Sequence, residues 1–273
     1  MESLISIQEA VNNFKNLIED SIRQDGIEGK EAMIRSSKPI NNIHEAVKSS
    51  LIISGIERRR VYPPFGATSP EMNLAGFLKQ KHQDVCVSPR GKRPESEIMK
   101  EGLLQEDTDY YGKEYTERVL SINIRSQISS LAKNFDTLYE RTIAEAQNLH
   151  VRCQRMVLGE VYMIAVKEYN PEAMKNKKID FIDKVGAVQK YIKSFQAINK
   201  RIDYGKEEYK YERVCLLIVD FSQTPAKIYS SNAELIADGL LYAESQANIA
   251  ELTWDSFTPS ILKIYESRFG SIL

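Results

Sequence analysis

The chain has 273 residues, 42% hydrophobic and 27% charged, which supports a sizeable core and excludes a disordered or collagen-like chain. Its 37 Lys and Arg against 38 Asp and Glu give a formal net charge of −1, so a uniformly basic nucleic-acid coat is excluded and a local basic patch is not. No apolar run approaches the roughly eighteen residues of a membrane span, no secretory pattern opens the chain, and Cys86, Cys153 and Cys215 read as reduced core thiols of a cytoplasmic protein.

Ser6 and Glu9 form a capping-box pattern, and Ile7, Val11, Phe14, Ile18 and Ile22 follow at helical spacing. Gly26 and Gly29 are expected to end this helix, and a second is expected over Ile40 to Ile56. Pro63, Pro64 and Gly66 then predict a loop. A strand is predicted near 83–88, closed by Ser88-Pro89, followed by a polar loop over 89–118 containing Tyr110, Tyr111 and Tyr115. Residues 119–126 alternate as a strand, with Leu120, Ile122 and Ile124 on one face and Val119, Ser121, Asn123 and Arg125 on the other. A helix over 129–150 carries Leu131, Phe135, Leu138, Thr142, Ala146 and Leu149 on its packing face. Residues 157–168 read as a buried central strand, Asp183 to Lys200 as a helix with Val185, Val188, Ile192 and Phe195, and 213–220 as the last strand. The remainder reads as helical. The order predicts an α/β fold, a mixed central sheet flanked by helices, with an N-terminal helical segment (1–78), a core (79–231) and a C-terminal helical segment (232–273) in one compact unit.

Chemistry concentrates in three places. Asp84 at one strand, with Asn123 and Arg125 on one face of the next, matches what a metal-dependent nuclease needs: oxygen ligands for a hard cation and a positive group for the scissile phosphate. Ser121 and Gln127 extend that row. An acid at a strand start and an Arg on a strand also suit an ordinary surface. Glu145 lies on the apolar stripe of the 129–150 helix, where it binds a cation or pairs with Arg141 one turn earlier. Lys79, Lys81, Arg90, Lys92 and Arg93 surround the single acid Asp84, a concentration of charge that suits phosphate contact or a solvated loop. No Gly-rich phosphate loop or dinucleotide fingerprint is present, so no nucleotide cofactor is expected, and His44, His82 and His150 lack zinc-ligand spacing.

Gln83-Asp84-Val85-Cys86-Val87, then Asn123-Ile124-Arg125-Ser126-Gln127, then Tyr139-Glu140-Arg141-Thr142 with Glu145-Ala146 and an apolar strand, resemble the PD-(D/E)XK type II restriction endonucleases. The similarity is to their XhoI-like branch and covers about residues 80–231; Tyr211 to Leu217, with Ile228 to Ser231, resembles that branch's closing strand. The resemblance implies a restriction-endonuclease-like core that cleaves double-stranded DNA at a short specific site. It also implies magnesium held by Asp84, Asn123 and Glu145, and a homodimer matched to two-fold DNA symmetry. The family carries Asp or Glu and then Lys where this chain has Asn123 and Arg125. Arg stays protonated and cannot act as a general base. A DNA-binding or assembly protein that keeps the fold without cutting is therefore the alternative.

Overall fold

The computed structural model describes residues 3–183 and 187–272. Helix α1 (Ile7–Arg35) begins where the Ser6 hydroxyl accepts the Glu9 amide at 3.1 Å, and Val11, Phe14, Ile18 and Ile22 are buried as their spacing predicts. The glycines do not end it: the backbone kinks at Asp25 and Gly26, and the helix resumes to Arg35. Gly26 has φ +62°, and a Cβ there would lie 2.6 Å from the Met174 carbonyl oxygen, so the bend depends on the missing side chain. Helix α2 (Lys38–Ile53) packs along α1.

Short strands follow: β1 (Val61–Tyr62), a hairpin of β2 (Met72–Ala75) and β3 (Gln80–Gln83), then β4 (Val85–Val87). The strand predicted over 83–88 is thus divided. Gln83 pairs with Met72, whereas Val85 pairs with Ile122, and Asp84 stands between the two ladders. The stretch 89–118 is not only loop; it holds β5 (Glu97–Ile98), β6 (Thr108–Asp109) and α3 (Lys113–Glu117). Next come β7 (Leu120–Gln127), α4 (Leu131–Arg152), β8 (Val157–Ala165), β9 (Lys167–Tyr169), α5 (Pro171–Lys175) and β10 (Phe181–Asp183). The chain closes with α6 (Val188–Ala197), β11 (Arg213–Asp220), β12 (Lys227–Tyr229), α7 (Asn232–Ala237) and α8 (Trp254–Phe269). Val185, assigned from sequence to the helix that becomes α6, lies outside the described residues. The C-terminal part is less helical than its composition suggested: between α7 and α8, Leu240, Leu241, Ile249 and Leu252 pack from non-helical backbone.

The central sheet has six strands in the order β1-β4-β7-β8-β11-β12. β7, β8 and β11 are parallel, joined by crossovers that include α4 and α6, while β1, β4 and β12 run antiparallel to their neighbours. Period-2 alternation divides the core into two layers. Leu120, Ile122, Ile124, Val161, Met163, Cys215 and Leu217 pack with α1, α2 and α8, so the segments at both chain ends share a core with the sheet. Leu158, Tyr162, Ile164, Val214 and Leu216 face α4 and α6 on the other side. Gly159 lets α8 approach β8; a Cβ there would fall 2.8 Å from Phe257 and Ile261. All three cysteines are buried. Among the described residues, no helix is long and apolar enough to cross a membrane.

Candidate active site

Strand register sets the site. Val85 stands opposite Ile122, and Asn123 opposite Glu160. Extending the β4 register by one residue brings Asp84 opposite Asn123. Asp84, Asn123 and Glu160 therefore form a row across three adjacent segments of the chain, on the sheet face that α4 covers. Neighbouring strands are about 4.8 Å apart, so three oxygen-bearing side chains are concentrated by backbone pairing alone. The next positions along the same face are Arg125 opposite Tyr162, then Gln127 opposite Ile164.

Each group has a distinct environment. The Asp84 carboxylate accepts the Ile124 amide at 2.7 Å, which anchors it at the lining of the cleft. Glu160 is fully buried, and neither carboxylate oxygen has a hydrogen-bond donor; the Asn123 side-chain carbonyl is also buried without one. Tyr211 stands against both, but its hydroxyl proton goes to the Thr142 carbonyl at 2.8 Å. Burial pushes Glu160 up to about 7; the Arg125 guanidinium opposes that shift and the Asp84 charge adds to it. Arg125 reaches the Thr142 hydroxyl at 2.7 Å, Glu160 at 3.7 Å and the Glu145 carboxylate. Lys81, on β3, places its ammonium 2.7 Å from the other Glu145 oxygen. Burial, with the Arg125 charge beside it, lowers the Lys81 pKa.

These contacts redraw the expected set. Asp84, Asn123, Arg125, Glu145 and Lys81 do converge. Both Glu145 oxygens face cations, Lys81 and Arg125, and neither cation is Arg141. Gln127 is largely buried at the lining of the cleft. Its amide donates to the Ser130 carbonyl at 3.1 Å and accepts from the Tyr162 and Tyr191 hydroxyls, bracing the start of α4. Arg90, Lys92 and Arg93 do not crowd Asp84. They follow the opposite end of β4, roughly 13 Å or more along the strand, where Arg90 bears on Glu57 and Arg60 and Lys92 pairs with Glu114 at 2.9 Å. Lys79 remains exposed on the β2–β3 turn.

Glu160 is the residue sequence reasoning passed over, because the run from Val157 to Val166 looked like a plain central strand. Its signal was present: Glu160 is the one charged side chain in that run, and a carboxylate in a doubly covered strand is costly unless it has a task or a partner.

Asp84, Lys81 and Arg125 line a cleft of ≈ 500 Å³, together with Ile34, Pro39 and Ile40 from the α1–α2 side and Asn134, Leu138, Arg141 and Glu145 from α4; Asn123 and Glu160 are buried and are not among its lining residues. Compared with models of known families, with curated proteins and with solved structures, the chain matches none. The physical chemistry of the cleft therefore stands by itself. Among the described residues no three His, Cys, Asp or Glu side chains gather at metal-holding distance. Two carboxylates and an amide oxygen do share the row, and two of these three groups are buried with oxygens that no donor satisfies. That donor chemistry fits a small hard cation, which takes one or two carboxylates and completes its shell with water and substrate oxygens.

Proposed function

We propose that the chain is a magnesium-dependent endonuclease of duplex DNA, of the type II restriction class. The observation that carries this reading is the row Asp84–Asn123–Glu160 set beside Arg125, with Asp84, Lys81 and Arg125 lining an open cleft. Asp84, Asn123 and Glu160 would hold the ion, with Glu160 in the place the sequence reading assigned to Glu145. When bound, magnesium supplies a Lewis acid for the phosphoryl oxygens and lowers the pKa of a coordinated water. The chain's own residues do the rest. Lys81 brings to the site, from β3, the ammonium that the family's second strand would carry at position 125. Arg125, fixed by Thr142 and Glu145, stabilises negative charge building on the phosphate without taking a proton. The assembly inferred from the family resemblance is a homodimer on a short symmetric site.

A second reading has its own support: Arg125 and Lys81 already neutralise Glu145, and Arg125 cannot serve as a base, as a chain that binds DNA without cutting would show. Incubation with a long DNA of known sequence and magnesium separates the two. Discrete fragments with mappable ends are expected; tight binding in EDTA with intact DNA after magnesium addition would favour the second reading.

Arg125→Lys is expected to cut about ten- to a hundredfold more slowly, since an ammonium keeps the charge but cannot bridge Thr142, Glu145 and Glu160 together. Single-turnover cleavage measures this, and an undiminished rate would remove Arg125 from the chemistry.

A further inference from the structure

The two walls of the cleft are chemically unlike. Ile34, Pro39 and Ile40 make one wall apolar. On α4, Asn134, Leu138, Arg141 and Glu145 recur at spacings of four, three and four, which places them on one stripe of the helix facing the same cleft. The cations at the floor, Lys81 and Arg125, are tied to Glu145. Arg141 is different: it is exposed, and it has no hydrogen bond or ion pair among the described residues. It stands four residues from Glu145, about 6 Å along the helix, and Asn134 lies roughly 10 Å beyond it.

We propose that the α4 stripe Asn134–Leu138–Arg141 is the track for one sugar–phosphate strand of duplex DNA, with Arg141 on a phosphate within one or two nucleotide steps of the group at Asp84, Asn123 and Glu160. Charge complementarity selects this wall, because it carries the cleft's one cation without a partner among the described residues, and continuity with Lys81 and Arg125 sets the register. Nucleotides succeed one another by 3.4 Å along a strand's axis, so a 6 Å offset spans one to two of them. Leu138, between the polar residues, gives the sugars an apolar contact. The loop bearing Arg90, Lys92 and Arg93, at the far end of β4, is not part of this track.

The placement rests on the nuclease reading, but the measurement does not. Affinity for a 20-bp random-sequence duplex is read in EDTA across a salt series. Arg141→Ala is expected to flatten the dependence of log K on log salt by about one unit, the loss of one phosphate contact. Asn134→Ala is neutral for neutral, so it is expected to weaken binding roughly fivefold at every salt concentration without changing the slope. The triple change Arg90→Ala, Lys92→Ala, Arg93→Ala is expected to leave the slope within experimental error of wild type. Thermal midpoints serve as the folding control, since neither α4 residue is buried. A full slope with Arg141→Ala, a slope lost in the triple variant, or tighter binding to the single strand than to the duplex would each overturn the track. Cleavage failure with the expected slopes would sink the nuclease reading alone; normal cleavage with an unchanged Arg141→Ala slope would sink the track alone.

Discussion

Asp84→Asn is expected to abolish magnesium-dependent cleavage, by roughly a thousandfold or more, while DNA binding in EDTA holds or tightens. Asparagine keeps an oxygen to accept the Ile124 amide, so the local fold survives. What it loses is the negative charge in the row with Asn123 and Glu160 that would draw a divalent cation to the phosphate, and electrostatic stabilisation of that kind is worth several kcal/mol in a water-poor site. Binding moves the other way, because the Asp84 carboxylate lining the cleft repels a polyanion and its loss frees the neighbouring Lys81 and Arg125 charges. A paired measurement, cleavage with magnesium and gel shift without it, checks both halves. Wild-type cutting by Asp84→Asn would place any metal chemistry elsewhere and leave the row without its proposed task.

Glu212→Gln is expected to cost about 3 kcal/mol of stability at neutral pH, or roughly 6 °C in Tm. Glu212 is fully buried just before β11, where it gathers four partners: it accepts the Leu158 amide of β8 at 2.8 Å and faces Arg268 of α8 at 2.8 Å, Arg201 at 3.3 Å and the His150 ring of α4 at 3.3 Å. Burial alone would raise its pKa. His150, Arg268 and the Leu158 amide more than offset that and hold it at about 2, below its ordinary 4.5. A carboxylate with a depressed folded pKa adds stability that is fully present above its unfolded pKa and is lost as pH falls toward the folded one. The gap between wild type and Glu212→Gln is therefore expected to be full near pH 7 and to close between about 4.5 and 2. Denaturant titrations at pH 7 and pH 3 test this; an equal gap at both would show that the carboxylate's charge is not what stabilises the site. Because Glu212 lies at the opposite end of β8 from the cleft mouth, the loss should reach cleavage only through the folded fraction.

Hydrophobic periodicity made the scaffold legible. Alternation from Val119 to Arg125 put Asn123 and Arg125 on one face and Leu120, Ile122 and Ile124 on the other, and the layered core follows that division. The helical spacing of Leu131, Phe135, Ala146 and Leu149 identified the face of α4 that packs on the sheet. Such patterns are local: a side chain's face follows from its position in its own element. The breaks read less well. Gly26 bends α1 without ending it, because whether a glycine terminates or kinks a helix depends on what packs against it, here the Met174 carbonyl.

What only the tertiary structure decided is which residues share a point in space. The composition and pattern of the chain determined an α/β architecture and named Asp84, Asn123, Arg125 and Glu145 as candidate site residues. They could not say that Glu160, 37 residues beyond Asn123 in the chain, is its neighbour across a parallel ladder. Nor could they say that Glu145 meets Lys81 and Arg125 rather than Arg141, or that Arg90, Lys92 and Arg93 leave β4 at the end away from Asp84. Register and strand direction are settled when buried apolar faces from distant segments pack together, and a carboxylate takes its role from the charges that this packing delivers to it.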